Sequence, residues 1–158
     1  MTALRRAGRD EQARLEAFQQ AAYSRTEAAV GARAIPLEWD YGQILEECEV
    51  WFDEDGGELN GVLILRLQPD RLFLESIATA PSAAGQGRGR ALLDATFARA
   101  RELGLARVGL ITNSLNPALG WYKRAGFSVD REDPQPGRVV VYMSAPVPAA
   151  EQTTGRPD

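Results

Sequence analysis

The chain has 158 residues, 44% of them hydrophobic and 25% charged, and its formal net charge is −4. This length predicts one domain that can fold without a disulfide or a structural metal. The sequence has no histidine and a single cysteine, Cys48, which excludes intrachain disulfides, histidine-based nucleophile pairs and multi-Cys metal sites. We therefore expect no metal, and any acid or base must be Glu, Asp, Tyr, Lys, Cys or a bound water.

The charge and the N-terminal sequence also limit the partners. An isoelectric point near 5.0 argues against general nucleic-acid binding. The first 15 residues lack the apolar segment of a signal peptide, and no apolar run is long enough to span a membrane. We therefore expect a cytoplasmic protein with neither a nucleic-acid nor a membrane partner.

The first half of the chain predicts two helices followed by a meander. Apolar periodicity indicates a helix over residues 10–25, with Asp10 as its cap, and a second helix after Pro36. Three strands follow, over residues 49–53, 61–67 and Leu72–Thr79. Because Asp55-Gly56-Gly57 and Pro69-Asp70 are typical turn sequences, the three strands should be antiparallel.

The second half predicts alternating helices and strands. A helix with apolar residues from Leu92 to Leu103 should stop at Gly104. Asn116-Pro117 is typical of a helix start, and Gly126 of the helix end. Strands are predicted over residues 106–112 and 139–143, and the last residues are rich in Pro, Thr and charge. We therefore predict one domain over residues 1–145 and a disordered tail over residues 146–158.

The most informative segment is PSAAGQGRGRALL, residues 81–93, where glycines alternate between a predicted strand and a predicted helix. Glycines allow close approach to the backbone, and a helix N-terminus offers unpaired N–H groups and a partial positive charge. Such a turn favours phosphate binding, with Arg88 and Arg90 adding charge. Arg90 occupies the last glycine position of a dinucleotide fingerprint, and the chain has no Gly-Lys of a P-loop. A strand-to-helix connection without a ligand is the alternative.

Two segments, LFLESIATAPSAAGQGRGRALLDATFARARELG and ITNSLNPALGWYKRAGF, resemble the GNAT (GCN5-related N-acetyltransferase) superfamily over about residues 72–127. The resemblance implies an α/β (mixed α+β) fold. Its central mixed sheet would have about six to seven strands, with an antiparallel N-terminal meander, parallel fourth and fifth strands, and about four flanking helices. It also implies acetyl-CoA as co-substrate.

The resemblance further implies which residues bind the cofactor. The family motif Gln/Arg-x-x-Gly-x-Gly/Ala falls on residues 84–89, but Ala84 stands where Gln or Arg is usual. The backbone N–H groups of residues 86–90 would hold the diphosphate, and pantetheine would pair with the strand ending at Thr79. The implied contacts are Ile77, Ala78, Thr79, Ala84, Gly85, Gln86, Gly87, Arg88, Gly89, Arg90, Asn116 and Tyr122.

The implied catalytic groups are the Ile77 N–H, which would stabilise the thioester oxyanion, and Tyr122, which would protonate the leaving thiolate. Tyr122 could instead be a core aromatic. Glu75 is the candidate base because it lies two residues from Ile77 and should share its strand face. A surface-facing or salt-bridged carboxylate is the alternative for Glu75, and Asn113 is a weaker candidate for a substrate contact.

The acceptor is indicated only by charge. Residues 34–65 contain many Asp and Glu but no Lys or Arg, which favours a cationic amine if they border the acceptor pocket. A solvated helix face and hairpin tip is the alternative. Trp39, Tyr41 and Trp51 could line this pocket or pack the core, and we interpret Cys48 as a buried small hydrophobe.

These observations predict an N-acetyltransferase that moves acetyl from acetyl-CoA to a primary amine of a small molecule or peptide by direct attack. The alternative is a non-catalytic acyl-CoA-binding or sensing module, which the departure at Ala84 favours. Assembly as a homodimer is left open.

Overall fold

The computed structural model describes residues 4–30, 35–83 and 86–148. The strands within these ranges are β1 (Leu4–Arg6), β2 (Glu49–Asp55), β3 (Glu58–Leu67), β4 (Leu72–Thr79), β5 (Arg107–Asn113), β6 (Ser128–Gln135) and β7 (Arg138–Pro146). The α-helices are α1 (Gln12–Val30), α2 (Tyr41–Glu47), α3 (Arg88–Glu102) and α4 (Ala118–Arg124). Short 3₁₀ turns cover Arg9–Glu11, Ile35–Glu38 and Pro81–Ala83.

The strands form one sheet in the order β1-β2-β3-β4-β5-β7-β6. The β4–β5 pair is parallel, and the other neighbouring pairs are antiparallel. The predicted mixed sheet is therefore confirmed, including its antiparallel meander and its parallel fourth and fifth strands.

Each face of the sheet carries its own core. On one face, α3 packs Leu92 and Leu93 against strand residues such as Leu74, and α4 covers the edge of this cluster. On the other face, α1 and α2 pack Leu15 and Ile44 against β2 and β3. Alternation along the central strands supplies apolar side chains to both faces, as a sheet with two covered faces requires.

The two edge strands were not predicted from the sequence. The strand β1 is only three residues long, and all but one residue of β6 are exposed, with charges in its middle. Neither strand shows the apolar alternation that identifies a half-buried strand. Short or charged edges such as these discourage pairing with strands of other molecules.

The helix starts differ from the predicted ones. Asp10 does not cap α1; the Gly8 N–H instead donates to Glu11 Oε1 at 3.1 Å in the preceding 3₁₀ turn. The helix α2 begins only at Tyr41, because Asp40 Oδ1 accepts from two backbone N–H groups, at 3.0 and 3.2 Å. Asn116 lies at the start of α4, where its Oδ1 accepts from the Ala118 N–H at 2.8 Å.

The C-terminal strand reaches into the predicted tail. The strand β7 ends at Pro146, and the Val147 N–H donates to the Ala106 carbonyl at 2.8 Å. Residues 149–158 lie outside the described ranges, so the disordered tail and the domain boundary stay predictions.

Candidate active site

The parallel strands β4 and β5 form a fork. Their register covers only Leu72–Leu74, which face residues 108–110 of β5. Residues 76–79 pair with β3 but have no partner in β5. The two strands therefore separate beyond Leu74 and leave one edge of β4 open.

Main-chain groups of β4 point into this gap. The Ala80 N–H donates to the Asn60 carbonyl at 2.9 Å, which makes these two residues a hydrogen-bonded pair. Because such pairs alternate along antiparallel strands, Ile77 and Thr79 direct their N–H and C=O groups away from β3. Ala78, between them, directs its main-chain groups toward β3, so its main chain is not available to a ligand in the gap.

A β-bulge interrupts β4 at the mouth of the fork. Ile64 faces Ser76 while the next residue, Leu65, faces Leu74, so Glu75 is an extra residue without a partner in β3. A bulge changes which residues share a face, because it inserts one residue into the alternation. Glu75 and Ser76 consequently lie on the α1/α2 face together.

The expectation that Glu75 and Ile77 share a face is therefore wrong. Ile77 faces Leu63 and packs against the core on the α3/α4 face. Glu75 points toward α2, where its carboxylate accepts from Arg66 Nε at 2.8 Å. The bulge is the physical reason for the difference.

Glu75 belongs to an ion-pair cluster beside α2. Arg66 also donates to Glu47, at 3.0 Å, so one guanidinium contacts two carboxylates. These three residues line a cavity of about 260 Å³ together with Trp39 and other residues of α2 and its N-cap. Cys48 lies nearby and is buried, and this burial raises the pKa of its thiol to about 11, as expected of a structural cysteine.

A second, neutral polar cluster lies on the same face and surrounds Ser76. Gln19 Nε2 is 3.1 Å from Ser76 Oγ and 3.2 Å from Tyr41 Oη, and it is fully buried. Tyr23 Oη lies 2.7 Å from Ser76 Oγ and 3.4 Å from the Ile77 carbonyl oxygen. Burial raises the pKa of Tyr23, although the Ser76 hydrogen bond opposes this shift, so the phenol stays neutral at physiological pH.

Tyr122 lies on α4, on the opposite face of the sheet from Tyr23. Its ring packs between those of Trp121 and Phe127, with centroids 5.1 and 5.5 Å away. Burial raises the pKa of the Tyr122 phenol, and the nearby Tyr23 raises it further. Tyr122 is thus part of the aromatic packing on that face.

The glycine-rich turn leads into α3 close to the fork. Gly87 has a φ of 74°, in the left-handed region, and the Ala91 N–H makes the first helical bond, to the Gly87 carbonyl at 3.1 Å. Among the residues that the structure describes, the N–H groups of residues 87–90 have no acceptor. The Gln86 N–H, predicted to be available, instead donates to the Ala83 carbonyl at 3.3 Å. Ala84 and Gly85 lie outside the described residues.

The start of α3 also lies close to both β4 and α4. A Cβ atom at Gly89 would be 3.9 Å from the Trp121 ring and 4.0 Å from the Thr79 methyl group. Three elements that carry predicted site residues therefore meet at one end of the fork. The absence of a side chain at Gly89 keeps their junction narrow but open.

The two arginines of the turn are already paired. Arg88 Nη1 lies 3.0 Å from Asp53, a buried carboxylate of β2, and Arg90 Nε lies 3.1 Å from Asp94. Their charge is thus balanced by protein carboxylates rather than left for a ligand. An anion at this turn would depend mainly on the backbone N–H groups of α3.

The acidic stretch is likewise largely neutralised. Arginines from other parts of the chain pair with its carboxylates: Glu38 with Arg138, Glu47 with Arg66, Glu49 with Arg99, Asp53 with Arg88, and Glu54 with Arg5 and Arg14. Trp39 and Tyr41 pack on the α1/α2 face, whereas Trp51 packs on the other face. The three aromatics therefore do not line one pocket.

Within residues 4–30, 35–83 and 86–148, no helix combines the length and apolar character needed to cross a membrane. No group of three His, Cys, Asp or Glu side chains in the same ranges could hold a metal ion.

Asn113, the weaker substrate-contact candidate, lies at the end of β5 and accepts from the Leu115 N–H at 2.8 Å.

Comparison with known proteins identifies the family. Residues 12–127 match the Acetyltransferase (GNAT) family. The mycothiol acetyltransferase of Propionibacterium freudenreichii subsp. shermanii is 37% identical over 105 residues, which cover 66% of this chain and only 28% of that relative. Nourseothricin acetyltransferase is 32% identical, with a TM-score of 0.56 over 64% of this chain and 65% of that one.

The fold is matched over more of the chain by a distant structure. The PaiA N-acetyltransferase of Thermoplasma acidophilum, solved in complex with coenzyme A, has a TM-score of 0.76 at 15% identity, over 92% of this chain and 99% of that one. This likeness concerns the fold alone. Because the family match spans most of the chain and the forked sheet agrees with it, the protein belongs to the GNAT acetyltransferase family.

Proposed function

We propose that the protein transfers acetyl from acetyl-CoA to a primary amine by direct attack of the amine on the thioester. The observation that carries this proposal is the open edge of β4, which runs from the bulge at Glu75 to the start of α3. Family membership supports the acetyl donor, since the matched region includes the fork and the glycine-rich turn.

The described residues fit coenzyme A in two respects. The N–H groups of residues 87–90 at the start of α3 would hold the diphosphate, as helix N-termini hold anions. Ile77 and Thr79 would pair with the pantetheine amides, because their main-chain groups face the gap. Asn116 lies at the start of α4, and Trp121 of the same helix lies beside Gly89 at the start of α3. The contributions of Ala84 and Gly85 stay predictions.

In the proposed reaction, the Ile77 N–H donates to the thioester oxygen as negative charge develops there. Nitrogen forms a bond to the carbonyl carbon, and the carbon–sulfur bond then breaks. Tyr122 gives its proton to the leaving thiolate and is reprotonated by solvent, while the nitrogen loses its surplus proton to a base, directly or through water. One proton thus moves, in net terms, from nitrogen to sulfur.

The base and the acceptor are less defined. Glu75 remains our candidate for taking the proton, directly or through water, although its carboxylate already contacts Arg66. The names of the relatives, nourseothricin and mycothiol acetyltransferases, favour a small-molecule acceptor over a peptide. A cytoplasmic location and assembly as a homodimer also stay predictions.

The proposal is tested by measuring CoA release with and without added amines. Suitable probes are nourseothricin, glucosamine and a short peptide with an N-terminal alanine, and CoA is quantified chromatographically. We expect release that depends on at least one amine, with equimolar acetylated product. A rate of CoA release that is the same with and without each amine would contradict the proposal. Acetyl-CoA binding in calorimetry without any turnover would instead favour the alternative, a non-catalytic acyl-CoA-binding module.

A further inference from the structure

The neutral cluster around Ser76 has a position that stability alone does not explain. Tyr23 extends from α1 and contacts Ser76 and the Ile77 carbonyl, in the part of β4 where the fork is open. Tyr122 packs on the α3/α4 face, so the two phenols lie on opposite faces of the sheet. Tyr23 is thus the phenol whose contact with the open half of β4 is observed.

The number of hydrogen-bond donors in the cluster fixes which hydroxyl donates in each bond. The Tyr41 hydroxyl donates to the Pro36 carbonyl at 2.8 Å, so it can accept from Gln19. Ser76 Oγ also accepts from Gln19, and its own hydrogen can then go only to Tyr23. The Tyr23 hydrogen is left for the Ile77 carbonyl. This arrangement gives every hydroxyl hydrogen an acceptor and keeps an oxygen lone pair of Tyr23 for another donor.

The cluster also contains a polar atom whose burial does not stabilise the fold. Gln19 is fully buried, and its Oε1 has no hydrogen-bond partner among the described residues. Rotating the amide would leave the nitrogen unpaired instead, so in either orientation one polar atom of Gln19 has no partner in the part of the chain that the structure describes. A buried polar atom without a partner destabilises a fold, whereas an apolar side chain of similar size would not. Gln19 is therefore better explained by orienting Ser76 and Tyr23 than by stabilising the core.

We infer that Tyr23 is a further residue of the transfer site, whose hydroxyl oxygen accepts a hydrogen bond from the attacking amine, with Gln19 and Ser76 as positioning residues. This inference rests on the proposed function. The bond orients the amine toward the carbonyl carbon and strengthens as the nitrogen gains positive charge. Tyr23 takes up no proton: its hydroxyl keeps its own hydrogen, which it donates to the Ile77 carbonyl, and the nitrogen loses its surplus proton to the base, directly or through water, as described above.

The test compares Tyr23→Phe with Tyr142→Phe. Tyr142 lies on β7, where its ring contacts Arg131 rather than the fork, so this variant is the matched control. For each, kcat and KM are measured with the probe amine that gives the highest wild-type rate, and CoA affinity is measured by calorimetry. We expect Tyr23→Phe to lower kcat/KM for the amine about 10-fold or more, as for a hydrogen bond to a charged partner. CoA affinity and the Tyr142→Phe kinetics should change less than about twofold.

Gln19→Met separates positioning from structure. Methionine keeps the volume but removes both donors, so we expect kcat/KM for the amine to fall several-fold while the melting temperature is unchanged or higher. Equal kinetics for Tyr23→Phe and Tyr142→Phe would overturn the inference and leave the proposed function intact. A Tyr23→Phe loss matched by an equal loss of CoA affinity would also overturn it, because that pattern indicates general damage. A wild-type protein that acetylates none of the amines would contradict both the proposed function and the role of Tyr23.

Discussion

The two halves of β4 differ in what lies beside them. Leu72–Leu74 have partners in both β3 and β5 and contribute two buried leucines to the core. Residues 75–79 have β3 on one side and the gap on the other, and polar groups from α1 and α2 gather around them. One strand thus joins a region that needs dense packing to a region that needs unpaired donors.

This difference separates stability from chemistry along a single element. Substitutions in the first half should lower the free energy of unfolding without changing how folded molecules bind or react. Substitutions around the second half should change binding or turnover with little effect on unfolding. The bulge at Glu75 marks the boundary. Four variants, two of them each compared with a control variant, test whether the boundary is real.

The largest effect is expected in the paired half. Leu74 is buried between β3 and β5, so Leu74→Ala removes buried apolar volume and leaves a cavity. We expect a loss of about 2–5 kcal/mol in the free energy of unfolding, measured by urea denaturation. At temperatures where the variant is folded, its affinity for CoA should be unchanged. A selective loss of CoA affinity would contradict the division of β4 into a stabilising half and a functional half.

In the open half, Tyr122→Phe should chiefly affect turnover. The ring and its packing are kept, while the proton donor for the thiolate is lost, so kcat should fall by about 10-fold or more. A raised pKa keeps the Tyr122 proton in place to higher pH, so wild-type kcat should show no alkaline decline from this group until above about pH 10. An unchanged kcat would remove Tyr122 from the mechanism.

Glu75 and Glu47 share Arg66 but should differ in effect. Glu75→Gln keeps an acceptor for Arg66 and removes the charge, and we expect kcat to fall about 10-fold or more if Glu75 is the base. Glu47→Gln makes the same change at the other, more exposed carboxylate and should leave kcat within about twofold. Steady-state kinetics with saturating acetyl-CoA checks both. Similar rates in the two variants would exclude the proposed role of Glu75.

The smallest expected effect on catalysis concerns the start of α3. Gly87 and Gly104 flank the two ends of this helix with φ values of 74° and 73°, and a Cβ atom would meet no neighbour at either. Alanine at either position should therefore destabilise the fold by a similar amount, roughly 1–2 kcal/mol. Only Gly87→Ala displaces the N–H groups predicted to bind the diphosphate, so it alone should weaken CoA binding, by about 10-fold. Calorimetry and thermal unfolding of both variants measure this difference.

Central elements were predictable from sequence because their patterns are local. The bounds of β4 agree with the predicted ones, since LFLESIAT is a short, mainly apolar run and Pro69-Asp70 and Pro81 flank it. The edge strands β1 and β6 were missed, because one is too short and the other too exposed to show a pattern. Their pairing is decided by neighbours distant in the chain.

The site was predictable only in part, for the same reason. The glycine-rich turn and Tyr122 stand in recognisable motifs, whereas Tyr23 lies on a helix whose sequence gives no sign of its contact with β4. The orientation of Glu75 depends on one extra residue in a strand, which alternation alone cannot reveal. The pairing of the acidic stretch could not be predicted, because its arginine partners come from other segments.

An unpaired strand edge on the outside of a protein invites aggregation, because a strand of any neighbouring molecule can add to it. Here the unpaired edge lies in the interior of a seven-stranded sheet, where β5 faces it and remains joined to it at one end. A polypeptide that already belongs to another sheet cannot enter so narrow a wedge, whereas a single flexible chain can thread it. The topology thus protects this strand edge from pairing with strands of other molecules while keeping its hydrogen-bond donors available to a slender ligand.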